Sequence, residues 1–241
     1  MRLLLLGGTG EARALAARLH PDVDVVSSLA GRVPDPALPV GTVRIGGFGG
    51  PAGLRTWLSD NGIDAVVDAT HPFAATITAN AAQACRAAGV PHVVLARPAW
   101  PPGAAIVVDS DADAARVVAE RGCERVFLTT GRSGTRAFVD VDAWFLIRAV
   151  TAPDPDSLPR RHELVLSRGP YRIDDERELL QRWQIDAMVT KNSGGDMTRA
   201  KLEAADDLGV TVVMVDRPRL PDGVEAVSTV DDAVRWVSAR R

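Results

Sequence analysis

The chain is short of the residues that most often carry chemistry on their own. Cys85 and Cys123 are the only cysteines among 241 residues. They have no metal-ligand spacing and make no disulfide framework, so a reducing cytoplasm is the expected setting. His20, His71, His92 and His162 stand far apart, and no metal site is expected from them. Apolar runs such as Leu3–Leu6 are far too short to span a bilayer. That leucine run meets glycines instead of a signal-peptide cleavage site, so it reads as a buried strand, and no membrane association is expected. A formal net charge of −3 argues against general nucleic-acid binding. Lysine is nearly missing: Lys191 and Lys201 stand alone among the basic residues, the rest being arginine.

What is present is a repeat. Ile63-Asp64-Ala65-Val66-Val67 returns as Ile185-Asp186-Ala187-Met188-Val189. Gly89-Val90-Pro91 returns as Gly209-Val210-Thr211, and an Arg-Pro pair follows each glycine at the same distance. The connectors Arg97–Gly103 and Arg217–Gly223 match, and each leads through a short apolar stretch into an acidic helix start, Asp109-Ser110-Asp111 and Thr229-Val230-Asp231. Matched order over several segments implies duplication of nearly the whole chain.

β-branched or leucine-rich runs alternate with alanine-rich helical stretches, which predicts βαβ units and parallel sheets. Strands are expected near 2–6, 23–27, 42–46, 64–69 and 92–96, then 124–129, 143–149, 163–167, 186–190 and 210–215. Helices are expected near 10–19, 51–61, 74–88, 174–183 and 197–208. The fold class is therefore α/β, with two Rossmann-like domains and a cleft between them. The first domain spans 1–103 and the second 104–223. Strand 105–108 and helix 111–121 should pack on the second domain, and by symmetry 224–241 should return to complete the first.

In the first half, Leu6-Gly7-Gly8-Thr9-Gly10-Glu11 is a strand, a glycine turn and a helix start. Such a turn lets backbone N–H groups approach a phosphate at the positive end of a helix, although the pattern departs from G-x-G-x-x-G. A tight turn without a ligand is the competing reading. The second strand ends at Ser27-Ser28 with no carboxylate at its tip, and Leu29-Ala30-Gly31-Arg32 follows. Ser28 and Arg32 suit a 2′-phosphate, which points to NADPH over NADH. Gly46-Gly47-Phe48-Gly49-Gly50 follows the third strand, either as a ligand approach or as a plain turn. Thr70 and His71 follow the fourth strand, at the sheet edge where ligands bind in open α/β folds. His71 is a proton donor or a hydrogen-bond partner of the cofactor.

The second half places Thr130, Arg132, Ser167, Arg168, Tyr171, Lys191, Asn192, Ser193 and Gly194 at equivalent strand ends. Cations and small donors replace glycine and histidine there, giving a surface suited to several carboxylates. Lys191 is read first as a charge partner for substrate.

Together these residues resemble the precorrin-6A reductases of cobalamin biosynthesis. The matching segments are Gly7-Gly8-Thr9-Gly10-Glu11-Ala12, Ser28-Leu29-Ala30-Gly31-Arg32, Ala69-Thr70-His71-Pro72-Phe73-Ala74, Thr130-Gly131-Arg132 and Lys191-Asn192-Ser193-Gly194. The resemblance covers essentially the full chain. It implies NADPH-dependent reduction of a macrocycle double bond of precorrin-6A to precorrin-6B, with the active site between two Rossmann-like domains. His71, Lys191 and Tyr171 are then candidates for proton source or substrate orientation. Two other readings stay open: an NADPH oxidoreductase acting on another anionic substrate, and a non-catalytic two-domain anion-binding protein.

Overall fold

A computed structural model describes residues 1–31 and 37–241; the expectation for Arg32 lies outside the described residues. The chain divides into two compact units, Met1–Pro98 with Pro218–Arg241, and Ala99–Arg217, so the divisions fall inside the proline-rich connectors.

The first unit carries β1 (Arg2–Leu6), α1 (Gly10–Leu19), β2 (Asp24–Leu29), β3 (Thr42–Ile45), α2 (Gly50–Asp60), β4 (Ala65–Asp68), α3 (Ala75–Ala88) and β5 (His92–Leu95). The second carries β6 (Ile106–Val108), α4 (Asp111–Glu120), β7 (Arg125–Leu128), β8 (Trp144–Ala149), β9 (His162–Leu166), α5 (Ile173–Arg182), β10 (Ala187–Lys191), α6 (Ala200–Asp207) and β11 (Thr211–Val215). β12 (Glu225–Val227) and α7 (Val230–Ser238) belong to the first unit. The sheets run β12-β5-β4-β1-β2-β3 and β6-β11-β10-β7-β8-β9, the same order twice. Every strand pairing described is parallel. The fold is thus α/β, with a Rossmann-like parallel sheet in each unit.

The four-leucine run follows from this topology. A central parallel strand is covered on both faces, so successive side chains enter different layers. Leu3 and Leu5 pack with Leu15, Leu19 and Trp236, whereas Leu4 and Leu6 pack with Leu54, Leu58, Ile63 and Cys85. In the second sheet, Phe127 and Met188 pack with Leu180, Ala204 and Ala205.

The repeated segments are repeated devices. Asp64 Oδ2 accepts from the Arg2 amide at 2.6 Å, and Asp186 Oδ2 from the Arg125 amide at 3.1 Å. Each aspartate therefore anchors the start of its sheet's central strand. Gly89 and Gly209 end their helices at φ 67° and 66°. The valine after each donates back to the helix, Val90 to Cys85 O at 3.0 Å and Val210 to Ala205 O at 2.9 Å. This is the left-handed glycine stop, which only a residue without Cβ adopts cheaply. Ser110 and Thr229 cap α4 and α7, each accepting at 3.1 Å from the amide three residues on.

The copies diverge between their first two strands. A ten-residue α1 joins β1 to β2, but a four-residue 3-10 helix, Thr135–Phe138, lies between β7 and β8. Leu6 pairs with Ser28 and Leu128 with Ile147, so the second crossover is the shorter. Helix α6 starts at Ala200, later than the sequence pattern near 197 predicts. The Met197 carbonyl accepts from the Tyr171 amide at 3.3 Å instead of joining the helix. Among the described residues, no helix is long and apolar enough to cross a membrane, and no cluster of His, Cys, Asp or Glu could hold a metal ion.

Candidate functional site

In a parallel sheet every strand delivers its following loop to the same edge, so the residues after β1, β2, β3 and β4 share one rim of the first unit. Gly7 donates to Ser28 O at 2.9 Å, holding the turn against β2. A Cβ on Gly7 would already touch Ala12, Leu29 and Ser28 at 3.5–3.7 Å. Gly8 has φ 114°, a conformation that disfavours any side chain. Thr9 caps α1, accepting from Ala12 N at 3.1 Å and donating to Ala69 O at 2.7 Å. The amides of Gly10 and Glu11 open the helix, where intrahelical partners do not exist. Glu11 is paired with Arg97 at 2.8 Å, which offsets its negative charge beside this turn.

The loop after β4 hangs on a buried carboxylate. Asp68 Oδ1 accepts from the Thr70 amide at 3.0 Å and its hydroxyl at 2.6 Å, and Oδ2 accepts from Thr78 at 2.6 Å. His71 is exposed; its Nδ1 accepts from the Phe73 amide at 3.3 Å, and the two rings lie 5.9 Å apart. Burial, aided by Asp68, pushes the Cys85 thiol up to about 12, which makes it inert. Burial pulls His92 down, against the opposing pull of Asp68.

Ser28 is buried at the tip of β2, and its hydroxyl accepts from Arg44 Nη1 at 2.8 Å. Arg44 is its register partner on β3. The same guanidinium donates to Gly46 O at 2.9 Å and Gly47 O at 3.1 Å and lies 3.8 Å over the Phe48 ring. Burial lowers its pKa, but arginine stays charged. The Arg44 contact escapes sequence reading because an arginine inside a strand pattern looks like an ordinary solvated residue. Gly31, at φ 69°, faces Ile45: a Cβ there would meet Ile45 Cγ2 at 2.9 Å.

The second unit's rim is built differently. Thr130 is buried and its hydroxyl has no partner among the described residues. Gly134 packs so closely that a Cβ there would lie 2.3 Å from Thr130 Oγ1 and 3.0 Å from Asp111 Oδ1. Asp111 also meets Lys191, 3.2 Å from its ammonium. Sequence reading placed Asp111 only at a helix start; nothing local shows that β10 brings Lys191 to it. Arg132 and Arg168 are exposed. Ser167 Oγ and the Tyr171 hydroxyl are 3.1 Å apart, and the Tyr171 ring covers Arg148 at 3.8 Å.

Asn192 faces inward. Its amide clamps the Trp100 backbone, accepting from N at 2.9 Å and donating to O at 3.2 Å. Trp100 Nε1 donates to Gly195 O at 2.8 Å, and Arg217 Nε to Asn192 O at 2.7 Å. The Lys191–Gly195 loop, with Ser193 and Gly194 at its centre, is therefore pinned from the two connector ends.

Behind it lies a buried charged group. Arg148 and Glu176 form a two-point pair at 2.5 and 2.9 Å. Lys201 donates to Thr129 Oγ1 at 3.0 Å. Burial, then the nearby Arg148 charge, pull Lys201 down to about 7, opposed by Glu176. A shallow depression lined by Arg55, Ser59, Asp64 and Ala88 lies by the strand starts and contains none of these residues.

Comparison with known proteins adds to this geometry. The family described as "Precorrin-6x reductase CbiJ/CobK" matches residues 2–238. A precorrin-6A reductase of Mycobacterium tuberculosis is 68% identical, covering 98% of this chain and 97% of its own length. One from Rhodococcus erythropolis is 54% identical over the same shares. A solved structure titled "CobK precorrin-6A reductase" superposes with a TM-score of 0.91 at 37% identity, covering 100% of this chain and 97% of that one.

Proposed function

The chain belongs to the precorrin-6x reductase family, and from that premise we propose that it reduces precorrin-6A in cobalamin biosynthesis with NADPH as reductant. Identity of 68% over nearly the whole chain carries the reductase reading and leaves no room for a non-catalytic binding protein. The finer assignment, NADPH bound by the first unit and the macrocycle by the second, rests on chemistry at the two rims.

The first rim fits a dinucleotide. Gly8 at φ 114° and the opening amides of α1 suit a pyrophosphate, with Gly7, Thr9, Gly10 and Glu11 shaping the turn. Ser28 and Gly31, at the tip of β2, bring no carboxylate that would favour a free 2′-hydroxyl. Thr70 and His71 border the same rim. When bound, the nicotinamide supplies a hydride to one carbon of a macrocycle double bond, and the neighbouring carbon takes a proton.

The second rim suits a substrate rich in carboxylates. Exposed Arg132 and Arg168 bring positive charge, joined by Lys191 in its pair with Asp111, and Thr130, Ser167, Tyr171 and Ser193 bring small donors, with Asn192 and Gly194 shaping their loop. His71, Lys191 and Tyr171 are the side chains proposed to give the proton or orient the substrate. The chain's task is to hold the partners aligned and water excluded.

Oxidation of NADPH on addition of precorrin-6A tests the activity, and absence of turnover with authentic substrate removes it. Lys191→Ala should weaken macrocycle binding about tenfold, about 1.4 kcal/mol, with NADPH affinity unchanged. An unchanged macrocycle affinity places that ligand away from β10.

A further inference from the structure

We propose that Arg44 is the residue that makes the cofactor site selective for a 2′-phosphorylated dinucleotide. This rests on the first unit being the nucleotide-binding one.

Four observations carry it. Arg44 stands on β3 directly opposite Ser28, at the tip of β2, where a dinucleotide's adenosine ribose is read in this class of sheet. Its guanidinium has three hydrogen bonds, to the Ser28 hydroxyl and the Gly46 and Gly47 carbonyls. A guanidinium has five N–H donors, so Nε–H and one N–H of Nη2 keep no partner among the described residues. All three acceptors are uncharged, and no carboxylate of the described residues pairs with Arg44 within 4.0 Å. By contrast, Arg2 and Arg97, on the same unit, each have one.

The group is also held in place before any ligand arrives. Phe48 covers one face at 3.8 Å, and Trp57 lies edge-on to Phe48, 5.4 Å away. Phe48 is itself locked: its carbonyl would lie 1.8 Å from any Cβ on Gly53, so helix α2 closes on this loop only because residue 53 is glycine. An arginine fixed by neutral acceptors and aromatic faces loses little conformational freedom on binding an anion. The Ser28 hydroxyl, already accepting from Arg44, gives its own hydrogen to no partner among the described residues and can donate it to the same phosphate.

The test compares NADPH with NADH, and 2′,5′-ADP with 5′-AMP as competitors, on the full chain and on Arg44→Ala and Arg44→Gln. The wild-type chain should bind each 2′-phosphorylated ligand at least about tenfold tighter than its partner, about 1.4 kcal/mol. Arg44→Ala should abolish that ratio while NADH and 5′-AMP stay within about twofold. Should alanine loosen the Gly46–Gly50 loop and weaken both ligands of a pair together, Arg44→Gln decides. Its amide can still donate to a loop carbonyl but brings no charge, and it too should lose the ratio. Retention of the wild-type ratio in both variants overturns the role of Arg44 and leaves the NADPH reading standing. A wild-type chain that binds both ligands of each pair equally overturns the NADPH reading and this inference with it.

Discussion

The tip of β2 and the tip of β8 occupy the same place in two copies of one sheet, yet among the described residues one is left open and the other sealed. At β2, the partners of Arg44 among the described residues are neutral oxygens, and the buried Ser28 hydroxyl faces it. At β8, Arg148 is closed off by the Glu176 carboxylate and roofed by Tyr171. The turns before them differ likewise. Gly8 and Thr9 lead into ten residues of helix, whereas Gly131 leads toward a four-residue 3-10 helix too short to build a comparable dipole. Duplicated strands therefore preserve the frame, while the loops set the two rims apart, and the phosphate site proposed for the first has no equivalent turn in the second.

The most damaging way to break this comparison is at the sealed tip. Glu176→Ala leaves Arg148 buried without its counter-charge and removes the carboxylate that favours the Lys201 charge, and it should cost about 3–5 kcal/mol. Urea unfolding measures it. A loss under about 1 kcal/mol would mean that water or another carboxylate reaches Arg148, and the two tips would no longer be opposites.

A smaller effect sharpens the same contrast through pH. Lys201 falls from its ordinary 10.5 to about 7 in the folded chain. Between those values the unfolded chain binds the proton more strongly, so folding stability rises with pH, by at most about 1.4 kcal/mol per unit. Measurement between about pH 7 and about pH 8 keeps small the opposite contribution of Cys85 and Cys123, whose thiols are pushed up in the folded chain and begin to ionise near about pH 8 in the unfolded one. Lys201→Met should flatten the slope. A variant that keeps the wild-type slope would place the titrating group elsewhere.

The frame was readable because its signals are local. Strand limits fell within one or two residues of the periodic runs, and the repeated aspartates and glycines proved to be strand anchors and helix stops. The arrangement at the rims was less readable. Arg44 reaches Ser28 through strand register, Lys191 reaches Asp111 across the second unit, and Asn192 turns inward to hold Trp100. Each of these contacts joins residues distant in sequence, and neither partner carries a local mark of the other. The expected roles of Thr130, Lys191 and Asn192 came from their clustering at strand ends; which side chain faces a ligand and which faces a neighbour is settled by packing alone.

Thr9 offers the mildest and most specific probe of the open rim. Its hydroxyl serves two partners at once, capping α1 through Ala12 and tying the glycine turn to Ala69, just before Thr70 and His71. Its positional counterpart, Gly131, has no side chain and so no such tie. Thr9→Val removes both bonds at nearly constant volume and should cost about 1 kcal/mol of stability, the usual worth of an N-cap. It should also weaken NADPH several-fold, since the opening amides of α1 lose their fixed direction, while the macrocycle binding proposed for the second unit stays as it was. Thr9→Ser keeps the hydroxyl and should restore both properties. If valine lowers stability without touching NADPH affinity, the cap is only a fold device, and the glycine turn of the first unit is no better suited to phosphate than its counterpart in the second.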